Sequence, residues 1–171
     1  MIHIYTGDGK GKTTAAVGLA VRASGAGKRV CFVQFLKNGT SSEIEQLRKL
    51  GINVMCAESC SKFTFAMNEE ELNGLIEDHD SLIREAGRLI SKKQLDLLVL
   101  DEFIGAYNKE LFDTINAENL IALASAEGCE VVITGRNAPE SLCSFADYIT
   151  EMKAVRHPYE KGITARLGIE Y

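Results

Sequence analysis

The stretch TGDGKGKTTAA, residues 6–16, decides how the rest of the chain is read. It follows a short apolar run holding Ile2 and Ile4, and it leads straight into an Ala-rich, helix-forming segment. Gly7, Gly9 and Gly11 permit positive φ and close backbone approach, so successive N–H groups can converge on one anion. A helix starting near Thr13 adds the partial positive charge of its first turn. Lys12 brings a cation to phosphate oxygens, Lys10 adds another, and the Thr13 hydroxyl is a candidate Mg²⁺ ligand. Thr14 belongs to the same anion-binding turn, and Asp8 either bonds a ribose or caps the loop. The pattern is G-x-x-x-x-G-K-[ST] between strand and helix, with Thr6 standing at the first glycine position.

Outward from this loop, short apolar runs alternate with helical stretches. Residues 1–5, 29–36, 52–56, 95–100, 130–134 and 148–152 read as strands, and 163–169 as a further edge strand. Residues 13–25, 41–50, 68–92, 118–127 and 139–145 read as helices. Over 68–92 the residues Leu72, Leu75, Ile76, Leu82, Ile83, Ala86 and Leu89 recur near a 3.6-residue period. Ser42 and Glu45 have the spacing of a capping box, and Gly128 stops the helix before it. Strands apolar on both faces and separated by helices imply a mostly parallel sheet covered on both sides. Residues 148–152 are expected as its last central strand. Such sheets take ligands at the carboxyl ends of their strands. The fold class is therefore α/β with a P-loop, of the RecA-like kind. The 171 residues hold two prolines, no repeat and no linker, so one domain over 1–171 is expected.

Composition narrows the function classes. The formal charge is -5, with 46% hydrophobic and 25% charged residues, which argues against a nucleic-acid-coating surface. No apolar run is long enough for a membrane helix, and no signal peptide is seen, so a cytoplasmic protein without a membrane role is expected. Five cysteines are odd in number; Cys56 and Cys60 are spaced CxxxC with no second pair and no nearby histidine. Reduced thiols rather than a zinc site are expected.

A second chemical signal is LLVLDE, residues 97–102. An acid at the end of a buried strand can face Mg²⁺ directly or through water, so Asp101 and Glu102 resemble a Walker B element. His3, His79 and His157 are too dispersed to suggest a nucleophilic triad.

Taken together, YTGDGKGKTTAA (5–16), VQFLK (33–37), LLVLDE (97–102), VVITGRNAPESL (131–142) and ADYITEMKAVRHPYEKGITARLGIEY (146–171) resemble the P-loop-type corrinoid adenosyltransferases. The match runs in order along nearly the whole chain, and Thr6 in place of glycine is ordinary for that family. The resemblance implies that Co(I) of a reduced corrinoid attacks C5′ of ATP, that the adenosyl group moves to cobalt, and that triphosphate leaves. It implies ATP lying reversed in the loop. Gly7, Asp8, Gly9, Lys10, Gly11, Lys12, Thr13, Thr14 and Arg136 would bind ATP, with Lys12 and Glu102 catalytic and Thr13, Glu102 and Asp101 at Mg²⁺. Phe63 and Phe65, in KFTF, would lie against the corrin and help displace the lower axial ligand of cobalt; relatives can carry Trp where this chain has Phe65. His157 would be a further corrinoid contact, with Tyr159, Lys161 and Arg166 in the same C-terminal region. A reduced flavoprotein as electron donor and a homodimer are implied as well. Some relatives carry an N-terminal helical extension over the site, whereas this sequence opens on its first strand, so a lid is expected from elsewhere or from a partner subunit. Two alternatives stay open on the residues alone: a P-loop NTPase or kinase acting on the terminal phosphate, and a non-enzymatic corrinoid carrier gated by nucleotide.

Overall fold

Ile2–Thr6 (β1), Val30–Gln34 (β2), Asn53–Cys56 (β3), Leu97–Asp101 (β4), Glu130–Thr134 (β5) and Tyr148–Glu151 (β6) form one six-stranded sheet in the computed structural model, which describes residues 1–60 and 62–170. Ser61 and Tyr171, the last residue of the C-terminal motif, lie outside the described residues. The strand order is β3-β2-β4-β5-β1-β6, and every pairing is parallel. The helices are Lys12–Gly25 (α1), Ser42–Lys49 (α2), Glu69–Ser91 (α3), Phe103–Tyr107 (α4), Thr114–Ala126 (α5) and Glu140–Cys143 (α6).

Side-chain alternation splits the core into two layers. Val30 and Phe32 of β2, with Leu97 and Val99 of β4, pack on Ala16 and Ala20 of α1 and on Ile44 and Leu47 of α2. Cys31, Val33, Leu98 and Leu100 turn the other way, onto α3, α4 and α5. All five residues of β2 and of β4 are buried, as strands covered on both faces must be. Each fully buried large side chain, such as Phe32, contributes about 1.5–3 kcal/mol.

Local chemistry sets the element ends. Asn68 caps α3: its side chain accepts from the Glu71 N–H at 2.9 Å, and the Glu71 carboxylate accepts from the Asn68 N–H at 2.8 Å. Asp113 caps α5 by accepting from the Asn116 N–H at 3.0 Å, which starts that helix at Thr114 rather than at 118. The capping box expected at Ser42 and Glu45 does not form. The N-cap there is Ser41, and it makes no side-chain cap bond. Helix α4 escapes a periodicity reading because five residues complete barely one turn.

Two strand expectations are corrected. Residues 148–151 form an edge strand, not a central one: among the described residues β6 pairs only with β1, and all four of its residues are exposed. Alternating Tyr, Ile, Thr and Glu does not distinguish edge from centre, which depends on strand order. Residues 163–169 form no strand. The chain there ends in a turn in which both the Arg166 N–H and its guanidinium donate to Glu170, so the backbone folds on itself instead of joining the sheet.

Candidate active site

The glycine loop between β1 and α1 sits against the chain leaving β6. The Gly9 N–H donates to the Met152 carbonyl at 2.6 Å. A Cβ at Gly7 or Gly9 would stand 2.5 or 2.6 Å from that same oxygen, and Gly7 has φ +100°, so neither position accommodates a side chain. Gly11 is the N-cap of α1, with φ 115° and no side-chain cap. The first-turn N–H groups therefore remain available to an anion. Lys12 Nζ arches over the loop and donates to the carbonyls of Gly7 and Gly9, both at 2.7 Å. Burial, and next the nearby Arg136 guanidinium, lower the Lys12 pKa. A phosphate in the loop offers this ammonium a charged acceptor in place of two neutral ones.

Across the mouth of the loop stands Asp101, 0% exposed at the carboxyl end of β4. Its Oδ1 accepts from the hydroxyls of Thr13 and Thr134, each at 2.8 Å. Its Oδ2 accepts from Gln34 Nε2 at 3.3 Å and Lys37 Nζ at 3.4 Å. Four elements thus converge on one carboxylate: α1, β5, β2 and the loop after β2. The next residue, Glu102, has φ 59° and donates its N–H to Thr134 Oγ1 at 3.0 Å. That left-handed backbone, rare for a residue with a side chain, sits at the N-cap where β4 gives way to α4. Burial, and then the Asp101 charge, raise the Glu102 carboxyl above its ordinary range.

These donors fit Mg²⁺. They are hard oxygens, a hydroxyl and two carboxylates, with Gln34 Oε1 buried beside them and lacking a hydrogen-bond partner among the described residues. Among the described residues no three His, Cys, Asp or Glu side chains gather into a metal-binding cluster.

Two cavities meet here. One, of about 480 Å³, is lined by Thr13, Thr14, Lys37, Glu102 and the C-terminal turn at Gly168–Glu170. The other, of about 280 Å³, is lined by Lys37, Glu102, Lys62, Phe63 and Lys109. Lys37 and Glu102 are common to both, so the phosphate side and the aromatic side adjoin. Phe63 and Phe65 are 75% and 86% exposed and stack on each other, with ring centroids 5.5 Å apart and planes at 9°. Two large exposed aromatics presenting parallel rings beside a cavity make a ready platform for a flat ligand.

The remaining expected residues divide. Arg136 follows β5, is exposed, and its charge bears on both Lys12 and Glu102. Asp8 is exposed in the loop, and its charge also reaches Lys12. Lys10 pairs at 3.0 Å with Glu170, in the C-terminal turn that lines the phosphate-side cavity. His157 is not brought to Phe63 and Phe65. It lines a third cavity, of about 410 Å³, with Lys10, Tyr159 and Arg166, and that cavity shares no lining residue with the aromatic one.

Gln34, Thr134 and Met152 were not singled out from the sequence. For the first two a signal existed: each is a polar residue closing an otherwise buried apolar strand, at the end where ligands bind. Met152 acts through its backbone, which no side-chain pattern reports.

The family model of the ATP:corrinoid adenosyltransferases BtuR/CobO/CobP matches residues 1–171. The corrinoid adenosyltransferase CobA of Salmonella typhimurium is 34% identical over 177 residues, covering all of this chain and 85% of that protein. The Escherichia coli K12 corrinoid adenosyltransferase is 33% identical, with the same coverage, and the Pseudomonas aeruginosa one 30%, over 83% of its length. The KaiC-like protein PH0186 of Pyrococcus horikoshii superposes with a TM-score of 0.59 at 14% identity, covering 89% of this chain and 70% of that one, which is a likeness of fold alone. The phosphate loop, the acid pair and the full-length match agree, and the chain belongs to the ATP:corrinoid adenosyltransferase family.

Proposed function

We propose that this corrinoid adenosyltransferase transfers the 5′-deoxyadenosyl group of ATP to the Co(I) centre of a reduced corrinoid and releases inorganic triphosphate. The observation that carries this is the sharing of Lys37 and Glu102 between the phosphate-side cavity and the cavity rimmed by Phe63. A nucleotide anchored at Lys12 and Thr13 and a flat corrinoid resting on the two aromatic rings would meet across those two residues.

The bond changes are few. The cobalt lone pair forms the Co–C5′ bond, the C5′–O bond breaks, and its electron pair leaves on triphosphate. No proton has to move, so the protein needs no general base. Its tasks are alignment, exclusion of water and stabilisation of negative charge on the leaving group. Lys12, the α1 N-terminus and Arg136 would hold the triphosphate anion. Thr13, Asp101 and Glu102 would hold Mg²⁺, which supplies further charge neutralisation when bound. Thr134, Gln34 and Lys37 keep the Asp101 carboxylate in place. Phe63 and Phe65 would press against the corrin face and favour loss of its lower axial ligand. A reduced flavoprotein as electron source and a homodimeric assembly are part of the same proposal.

The test is anaerobic incubation with ATP, Mg²⁺ and chemically reduced cob(I)alamin in dim light. A photolabile alkyl-corrinoid formed with stoichiometric triphosphate is expected. ADP and phosphate without an alkylated corrinoid would make the protein a hydrolase.

A further inference from the structure

Two residues with side chains hold left-handed backbone where β4 and β5 end. Glu102, with φ 59°, is the N-cap of α4, and Asn137, with φ 56°, lies in the turn after β5. Such conformations are costly for a residue with a Cβ and persist only where the surroundings hold them. Helix α4 links the two. At its start, the Glu102 N–H donates to Thr134 Oγ1 at 3.0 Å. Along its length, Gly135 packs so closely that a Cβ there would stand 2.6 Å from Ile104 Cβ. At its end is Asn108, the C-cap. The Asn108 side-chain amide donates to the Asn137 carbonyl at 3.0 Å and to the Arg136 carbonyl at 3.4 Å. One amide thus holds the backbone of the turn that carries Arg136.

Asn108 is itself firmly placed. Its N–H donates to the Ile104 carbonyl at 3.0 Å. The hydroxyl of the preceding Tyr107 donates to Glu118 of α5 and lies 3.1 Å from Ser141 Oγ of α6. The other side of the turn is tied to the phosphate loop and the strand before it. The Gly135 N–H donates to the Tyr5 carbonyl at 3.2 Å, and the Ala138 N–H to Thr6 Oγ1 at 3.4 Å. The Arg136 guanidinium, by contrast, makes no hydrogen bond and no ion pair among the described residues. Its direction is therefore set by the backbone beneath it. Its charge lowers the Lys12 pKa and bears on Glu102, so it stands within electrostatic reach of both.

We infer that Asn108 is a positioning residue for phosphate binding: its amide fixes the turn at Arg136 and Asn137 so that the guanidinium faces the anion held at Lys12. This rests on the proposed role of Arg136 in holding triphosphate. Asn108 touches no substrate and acts only through the two carbonyls. Without that amide nothing on the α4 side holds Asn137 in its left-handed conformation, and the arginine beside it swings with the relaxing backbone. One short helix then sets the spacing between Glu102 at its start and Arg136 beyond its end.

The test is calorimetric titration with inorganic triphosphate and Mg²⁺, which needs neither corrinoid nor turnover. Asn108 and Arg136 are exposed, so the variants should fold. Arg136→Ala should weaken binding about thirtyfold. Asn108→Ala should weaken it about fivefold, with the Mg²⁺ requirement unchanged because Glu102 keeps its bond to Thr134. In the double variant the second substitution should add nothing to Arg136→Ala, since the amide acts only through the guanidinium. Additive losses, wild-type affinity in Asn108→Ala, or a shifted Mg²⁺ requirement in that variant would each overturn the inference. Wild-type affinity in Arg136→Ala would defeat the proposed role of Arg136 and the inference with it. A loss in Arg136→Ala with none in Asn108→Ala would defeat the inference alone.

Discussion

The Thr13 hydroxyl donates to the Asp101 carboxylate at 2.8 Å, so the first turn of α1 and the carboxyl end of β4 are joined at the mouth of the phosphate loop. Three other side chains donate to the same carboxylate, those of Thr134, Gln34 and Lys37. Asp101→Asn replaces one acceptor oxygen with an N–H donor facing other donors. Denaturant unfolding should read a loss of about 3 kcal/mol, and adenosylation should fall about a hundredfold. Unchanged stability would mean that this network does not hold the site together.

Lys12→Ala removes the ammonium that spans the Gly7 and Gly9 carbonyls. The loop backbone stays seated on Met152, so folding should survive. Turnover should drop about 10²–10³-fold, with weaker binding of inorganic triphosphate in calorimetry. Near-normal turnover would count against anchoring of triphosphate at this loop.

Glu102 is held with its carboxyl pKa above the ordinary 4.5, by burial first and by Asp101 second. The folded state therefore binds its proton more readily than the unfolded chain does. This contribution to stability is present below pH 4.5 and is lost as pH rises through the raised folded value. Glu102→Gln should accordingly raise the melting temperature at neutral pH while weakening the Mg²⁺ dependence of turnover. A lower melting temperature at neutral pH would contradict this account.

His79 is fully buried on α3, in edge contact with the Phe35 and Phe112 rings. Its Nδ1 lies 3.0 Å from the Leu111 carbonyl, and Nε2 accepts from the Leu36 N–H at 3.5 Å. One ring nitrogen must donate and the other accept, so the ring is neutral. Burial lowers its pKa below 6.5 despite the Leu111 carbonyl, Asp78 and Asp80. Its stabilising contribution is complete above pH 6.5 and is lost as pH falls toward the lowered folded value. Leu36 precedes Lys37, so acid should loosen both the fold and the loop that carries Lys37. Thermal melts of wild-type and His79→Gln between pH 5 and 8 check this: the variant should lose the slope below 6.5.

Phe65→Ala removes one ring of the exposed stack without touching the core. Stability should change by less than about 0.5 kcal/mol. Adenosylation starting from Co(II) with a reductant should slow about tenfold or more, and from preformed Co(I) much less. Equal effects on both would remove the ligand-displacement role.

The strand–loop–helix unit at residues 2–25 was legible because its determinants are local: glycine spacing, an apolar run before it and helix formers after it. The acid pair was legible for the same reason, since Asp101 and Glu102 end a continuous apolar run. Helix α3 could be read from its period. The limits of β6 were readable, but its edge position was not, because pairing order is set by which strands share long-range hydrogen bonds. Residues 163–169 had strand-like composition, and the Glu170 carboxylate took the local bonds instead.

By itself, then, the sequence determined an α/β chain with a phosphate loop and an acid pair at strand ends, because short-range backbone preference and side-chain period suffice for those. Tertiary structure alone decided what surrounds Asp101. Thr13, Gln34, Lys37 and Thr134 lie between 33 and 88 residues from it, and only the β2-β4-β5 order brings them onto one carboxylate. It also decided that Phe63 and Phe65 adjoin the phosphate side through Lys37 and Glu102 while His157 lines a different cavity. Such convergence is a matter of chain crossing and packing, which spacing along one strand or helix does not encode.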